Sequence, residues 1–136
     1  ADAEKSLKLV LKDLTYSRIE QVHFNLGLLY LNQKRPLWAE THFRQAVKSN
    51  PEYCGAWYQL GRLQKEKGDF TLAAESFTQS VRGTCFRNPE AHFEISNALL
   101  KSRNSERAKL KLLEIIQFFP ESDWAKKAEL TLSMMK

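Results

Sequence analysis

Shifted by about 34 residues, this chain falls into register with itself, and that internal repeat limits its fold more than any other feature. Counted from Glu20, a first block places His23, Leu26, Gly27, Tyr30, Ala39, Phe43, Ala46 and Pro51 at positions 4, 7, 8, 11, 20, 24, 27 and 32. Counted from Cys54, a second block fills the same positions with Trp57, Leu60, Gly61, Gln64, Ala73, Phe77, Ser80 and Cys85. A third block, counted from Pro89, is degenerate but in phase, with His92, Ile95, Ser96, Leu99, Ala108, Leu112, Ile115 and Pro120. Upstream, Ala3, Leu7 and Val10 stand where positions 20, 24 and 27 of a preceding block would fall, so residues 2–14 are expected to form the second helix of a truncated unit. Downstream, Ser122 is expected to cap a last helix reaching Met135. The expected organisation is one domain over 1–136: a half unit and turn over 2–19, full units over 20–53, 54–88 and 89–122, and a capping helix over 123–136.

Each recurring residue type has a physical reason. Small residues at positions 8 and 20 let two antiparallel helices cross closely, and Ser96 and Ala108 still meet that need in the third block. Phe43 and Phe77, with Tyr30 and Trp57, are expected to fill the space between one helical hairpin and the next, so that no unit buries its apolar face alone. Turns are expected at Lys34-Arg35-Pro36, Lys67-Gly68-Asp69 and Ser102-Arg103-Asn104 within units, and at Ser49-Asn50-Pro51 and Asn88-Pro89 between them. A generic set of amphipathic helices has no reason to place small residues and aromatics at both offsets together. This pattern resembles the tetratricopeptide repeat over residues 2–135. The resemblance implies an all-α superhelix, a right-handed solenoid of antiparallel helix pairs, and a non-enzymatic scaffold for a protein or peptide.

Composition agrees with that class. The 43% hydrophobic and 27% charged residues are ordinary for one globular domain, and five glycines and four prolines are few for a loop-rich β protein. No apolar run approaches the roughly 18 residues of a membrane span. The net charge of +5 is spread among acids along the chain, so no nucleic-acid partner is expected. No nucleophile elbow, zinc-protease helix, phosphate loop or zinc-ligand spacing occurs, and neither a cofactor nor a metal is expected. His23, His42 and His92 read as structural or surface residues, and Glu90 and Glu94, one helical turn apart, as a solvated face. The chain starts at Ala1, and its first residues lack the apolar core of a secretory signal. A processed or trimmed chain is therefore expected, with any targeting signal or lipid-bearing cysteine lying upstream.

In tetratricopeptide-repeat proteins, positions 2, 5, 9 and 12 of each first helix line the concave groove. Carried onto this chain, that rule selects Gln21, Phe24, Leu28 and Leu31, then Gly55, Tyr58, Arg62 and Lys65, then Glu90, Phe93, Asn97 and Lys101. Phe24, Leu28, Leu31, Tyr58 and Phe93 are expected to form an exposed apolar patch with Arg62, Lys65 and Asn97 beside it, a partner surface rich in aromatic anchors. The competing reading covers this patch with flanking helices or with parts of a longer protein. The chaperone-adaptor subclass uses a carboxylate clamp of Lys, Asn, Asn, Lys and Arg at places that here hold Phe24, Leu28, Gln59, Glu90 and Glu94. Two clamp cations are thus replaced by acids, and an acidic chaperone tail is not an expected partner.

The only two cysteines, Cys54 and Cys85, fall at one end of the same expected hairpin. A disulfide there would constrain the unfolded chain by about 3–4 kcal/mol and favour an oxidising compartment. The alternative is two free thiols in a reducing cytosol. The stretches Gly83-Thr84-Cys85-Phe86-Arg87-Asn88-Pro89-Glu90 and Phe118-Phe119-Pro120-Glu121-Ser122-Asp123-Trp124 resemble the final repeats of bacterial type IV pilus pilot lipoproteins. Those are periplasmic, outer-membrane-tethered proteins that assist assembly of the secretin pore. The resemblance implies a secretin subunit as partner and a lipid anchor upstream of the visible chain. The other expectation is a cytosolic adaptor within a larger complex.

Overall fold

The computed structural model describes residues 19–135, and the half unit expected over 2–14 lies outside the described residues. Among the described residues seven α-helices follow one another: α1 (Ile19–Asn32), α2 (Pro36–Ser49), α3 (Cys54–Glu66), α4 (Phe70–Ser80), α5 (Pro89–Lys101), α6 (Ser105–Phe118) and α7 (Asp123–Met134). A short 3-10 turn, Gly83–Cys85, separates α4 from α5, and no strand occurs among the described residues. Each helix packs on its neighbours in the chain, and α5 also touches α7, so the packing runs in one dimension as in a repeat array. This is the all-α superhelix that the repeat implies.

The turns within units share one geometry. Lys34, Gly68 and Arg103, each at position 15 of its block, have φ of 59°, 81° and 63°. In each case the following residue closes a backbone bond five residues back: Arg35 N–H to Tyr30 O at 2.8 Å, Asp69 N–H to Gln64 O at 2.9 Å, and Asn104 N–H to Leu99 O at 2.8 Å. These are Schellman ends, which satisfy the orphan carbonyls of α1, α3 and α5 and require a left-handed residue. Glycine adopts that region freely, whereas a residue with a Cβ is strained by roughly 1–2 kcal/mol. Arg103→Gly and Lys34→Gly are therefore expected to raise stability by about 0.5–1 kcal/mol each in urea unfolding. Gly68→Ala should lower it by a similar amount, since nothing lies within 4 Å of the added Cβ and backbone strain alone is read. Two helix starts carry side-chain caps: Asn88 Oδ1 accepts from Ala91 N–H at 3.2 Å before α5, and Ser122 Oγ accepts from Ala125 N–H at 3.0 Å before α7.

The small residues matter for a reason the sequence reading placed differently. A Cβ on Gly27 would lie 2.5 Å from Phe43 Cε1, and one on Gly61 would lie 2.7 Å from Phe77 Cδ1. Phe43 and Phe77 are thus seated over the glycines of their own hairpins, and are not simply spacers between hairpins as expected. Trp57 is half-buried and packs against the core shared by the first and second units, and its indole Nε1–H donates to Pro51 O at 2.7 Å, pinning the turn between them. The same rings also take part in the interlock between units, as expected. Leu26, Tyr30 and Phe43 share one core with Ala56, Leu60 and Leu63 of α3. Ala73 and Phe77 share a second with Ala91, Ile95 and Ala108, and Leu112 and Ile115 are closed by Ala125 and Ala128 of α7.

Candidate functional site

The stacking of first helices brings α1, α3 and α5 side by side, and the positions expected to line a groove all reach the surface. None of Gln21, Phe24, Leu28, Leu31, Gly55, Tyr58, Arg62, Lys65, Glu90, Phe93, Asn97 and Lys101 is buried. Their exposure, however, is not what the pattern suggested. Leu28 is exposed at 38%, whereas Phe24, Leu31, Tyr58 and Phe93 are half-buried and pack against the cores beneath them.

The cause is visible in each case. The Phe24 ring lies over Gly55, with Cζ 3.3 Å from where a Cβ would be, and its centroid is 5.2 Å from Tyr53 and 5.7 Å from Phe43. Tyr58 stands edge-on to Phe77 at 5.4 Å, and Phe93 packs against Trp124 of α7 at 5.4 Å. The aromatic anchors therefore form the floor of the surface and stay half-buried there. A surface of this kind is preorganised, because its side chains are already fixed before a partner arrives.

The polar groups are also more organised than expected. Lys65 Nζ donates to Glu94 Oε2 at 2.7 Å, linking α3 to α5, so Glu94 is a half-buried partner and not part of a solvated face. Lys101 places its ammonium 5.3 Å from the Phe70 ring centroid. The basic edge thus reduces to exposed Arg62, with half-buried Asn97 one unit along. Burial raises the Tyr58 phenol above its ordinary pKa, Glu90 and Glu94 raise it further, and Arg62 opposes them, so Tyr58 is a neutral hydrogen-bonding group at any physiological pH.

Cys54, the first residue of α3, is joined to Cys85 in the turn after α4, with Cα atoms 6.5 Å apart. Beside it, the Phe86 carbonyl accepts from His92 Nε2–H at 2.8 Å. His92 is buried, and that burial pushes its pKa below the ordinary imidazole value. Its ring is enclosed by Phe86 at 4.6 Å and Phe119 at 5.3 Å.

Some exposed apolar side chains lie off the groove, on second helices and α7, and the sequence reading did not select them. Leu37 and Trp38 at the start of α2 are 68% and 51% exposed, and Leu110, Leu113, Leu130 and Met134 are exposed on α6 and α7. A surface depression between α6 and α7 is lined by Ser105, Lys109, Leu113, Glu129, Leu132 and Met135. Their signal was available, since apolar residues at non-signature positions of second helices have no core to join.

A solenoid of helical hairpins with one preorganised, mixed aromatic and polar face defines a protein-interaction scaffold. The tetratricopeptide-repeat family profiles match residues 20–53 and 55–82, and the chain is a tetratricopeptide-repeat protein. Among solved structures, MamA is similar over 85% of this chain and 62% of its own, with 20% identity and a TM-score of 0.71. PilF of Pseudomonas aeruginosa is similar over 95% of this chain and 58% of its own, with 18% identity and a TM-score of 0.73. The N-terminal domain of stress-induced protein-1 (STI-1) from C. elegans is similar over 86% of this chain and 97% of its own, with 17% identity and a TM-score of 0.72. This chain therefore spans under two thirds of the length of MamA and PilF. At the sequence level, no curated protein matches it.

Proposed function

We propose that this chain is an assembly scaffold of the pilot-protein type, which holds a segment of a type IV pilus secretin subunit in the groove of α1, α3 and α5 while the pore is built. The observation that carries the reading is the Cys54–Cys85 link, which suits an oxidising compartment and so a periplasmic site of action. The likeness to PilF over 95% of this chain supports it at the level of fold. The same reading places the chain at the outer membrane through an upstream lipid. A chaperone-tail adaptor is disfavoured, because Glu90 and Glu94 stand where that subclass needs cations, and Glu94 already holds Lys65.

The segment would seat aliphatic or aromatic side chains beside Leu28 and Tyr58 and an acidic or carbonyl group on Arg62. Because Phe24 and Tyr58 also support the core, the test uses exposed residues: Leu28→Glu with Arg62→Glu is expected to weaken binding of a purified secretin subunit at least tenfold, with helicity unchanged by circular dichroism. Undiminished binding would rule out this groove. A thiol count on denatured, unreduced protein from its native host separates the compartments. No free thiol is expected, and two would favour the cytosolic adaptor.

A further inference from the structure

Where α1 crosses α2, positions 4 and 23 of the first unit hold His23 and His42, whose Nδ1 atoms lie 3.0 Å apart. The two rings are stacked, with centroids 5.3 Å apart and planes inclined by 29°. A hydrogen bond between two Nδ1 atoms needs one donor and one acceptor, so one neutral ring carries its proton there and the other presents a lone pair. Two nitrogens bound to one ion at about 2.0–2.1 Å sit roughly 2.9–3.4 Å apart for bond angles between about 90° and 110°. The observed separation falls in that range. To meet at a common point, each lone pair would turn about 40° off the line between the two nitrogens, which takes a rotation of both rings.

The other two units show why this crossing is distinctive. The same positions hold Trp57 and Ser76 in the second unit, which offer no imidazole. In the third they hold His92 and Lys111, and the ammonium lies 3.3 Å from His92 Nδ1, where a cation would have to sit. His92 is moreover sealed from solvent, whereas His23 and His42 are half-buried and can be reached by an ion.

We propose that His23 and His42 form a two-histidine site for a borderline divalent transition-metal ion, Cu2+ or Zn2+, which clips α1 to α2. On binding, the donor ring moves its proton from Nδ1 to Nε2, both Nδ1 lone pairs go to the ion, and no electron is transferred. Among the described residues no group of three His, Cys, Asp or Glu gathers around a common point, so those residues offer the ion two nitrogens. The order of affinities for nitrogen ligands makes Cu2+ the tighter of the two.

The test titrates the 136-residue chain with Cu2+ alone and with Zn2+ alone, in buffer free of imidazole and chelators. One ion per chain is expected, with Tm raised by about 5 °C or more at saturating metal. The Cu2+ electron paramagnetic resonance spectrum is expected to show coupling to two imidazole nitrogens. His23→Gln and His42→Gln should each abolish the two-nitrogen signature and most of the Tm shift. If either variant lost helicity, the spectrum of the unaltered chain would still decide, because one nitrogen or none overturns the proposal. Failure of either ion to bind below about 1 mM, or equal binding by both variants, overturns it too.

Discussion

Gly61→Ala is expected to lower the unfolding free energy by about 2–3 kcal/mol, a large effect for one added methyl. The new Cβ would lie 2.7, 2.8 and 2.9 Å from three atoms of the Phe77 ring, which real contacts do not tolerate, so the whole ring must move. It has little room to do so, being fully buried with Tyr58 edge-on at 5.4 Å. The second unit also stacks on both neighbours, so displacement there disturbs two interfaces at once. Phe77→Leu should be destabilising by itself through lost volume, yet in the double variant the shorter side chain makes space for the methyl. The two changes are therefore expected to be non-additive, the double variant being more stable than the sum predicts by about 1 kcal/mol or more in urea unfolding. Simple additivity would show that the Phe77 ring is not what excludes a side chain at position 61.

The helical units were legible because their cause is local and repeated: a glycine under an aromatic ring leaves a fixed offset in the sequence. Turn position 15 was legible in only one unit. Gly68 advertises a left-handed backbone, whereas Lys34 and Arg103 adopt the same φ with side chains that give no sign of it. The positions carried onto the first helices were legible as surface positions but not in their degree of exposure. A positional rule selects Phe24, but it cannot foresee that Gly55 on the next helix gives its ring a place to lie, nor that Trp124 of α7 covers Phe93. Pairings across units, such as Lys65 with Glu94, depend on which side chains the stacking brings level, and neither residue's own helix reveals that. For the same reason His23 and His42 each read as an ordinary structural histidine, since their contact exists only once positions 4 and 23 face each other.

Removing the Cys54–Cys85 link by Cys54→Ser with Cys85→Ser should lower stability by about 3–4 kcal/mol, because the sequence separation of 31 closes a long loop in the unfolded chain. The structure adds a local component. The linked turn leads directly into Phe86, whose carbonyl holds His92 Nε2–H at 2.8 Å and whose ring packs on His92, Phe118 and Phe119. Releasing Cys85 loosens the residue that closes the boundary between the second and third units. Amide hydrogen exchange should then accelerate over residues 83–92 more than in α1 and α2, which the link does not touch. A purely unfolded-state effect would instead lower protection evenly in those amides that exchange by global unfolding. The oxidised and serine-substituted chains, compared in urea at one pH without reductant, separate the two components: the midpoint shift reads the total, and the exchange map reads how much is local. Equal midpoints would mean that the link contributes nothing to stability. A shift with uniform exchange would assign the whole effect to the unfolded chain and leave Phe86 and His92 holding the boundary by themselves.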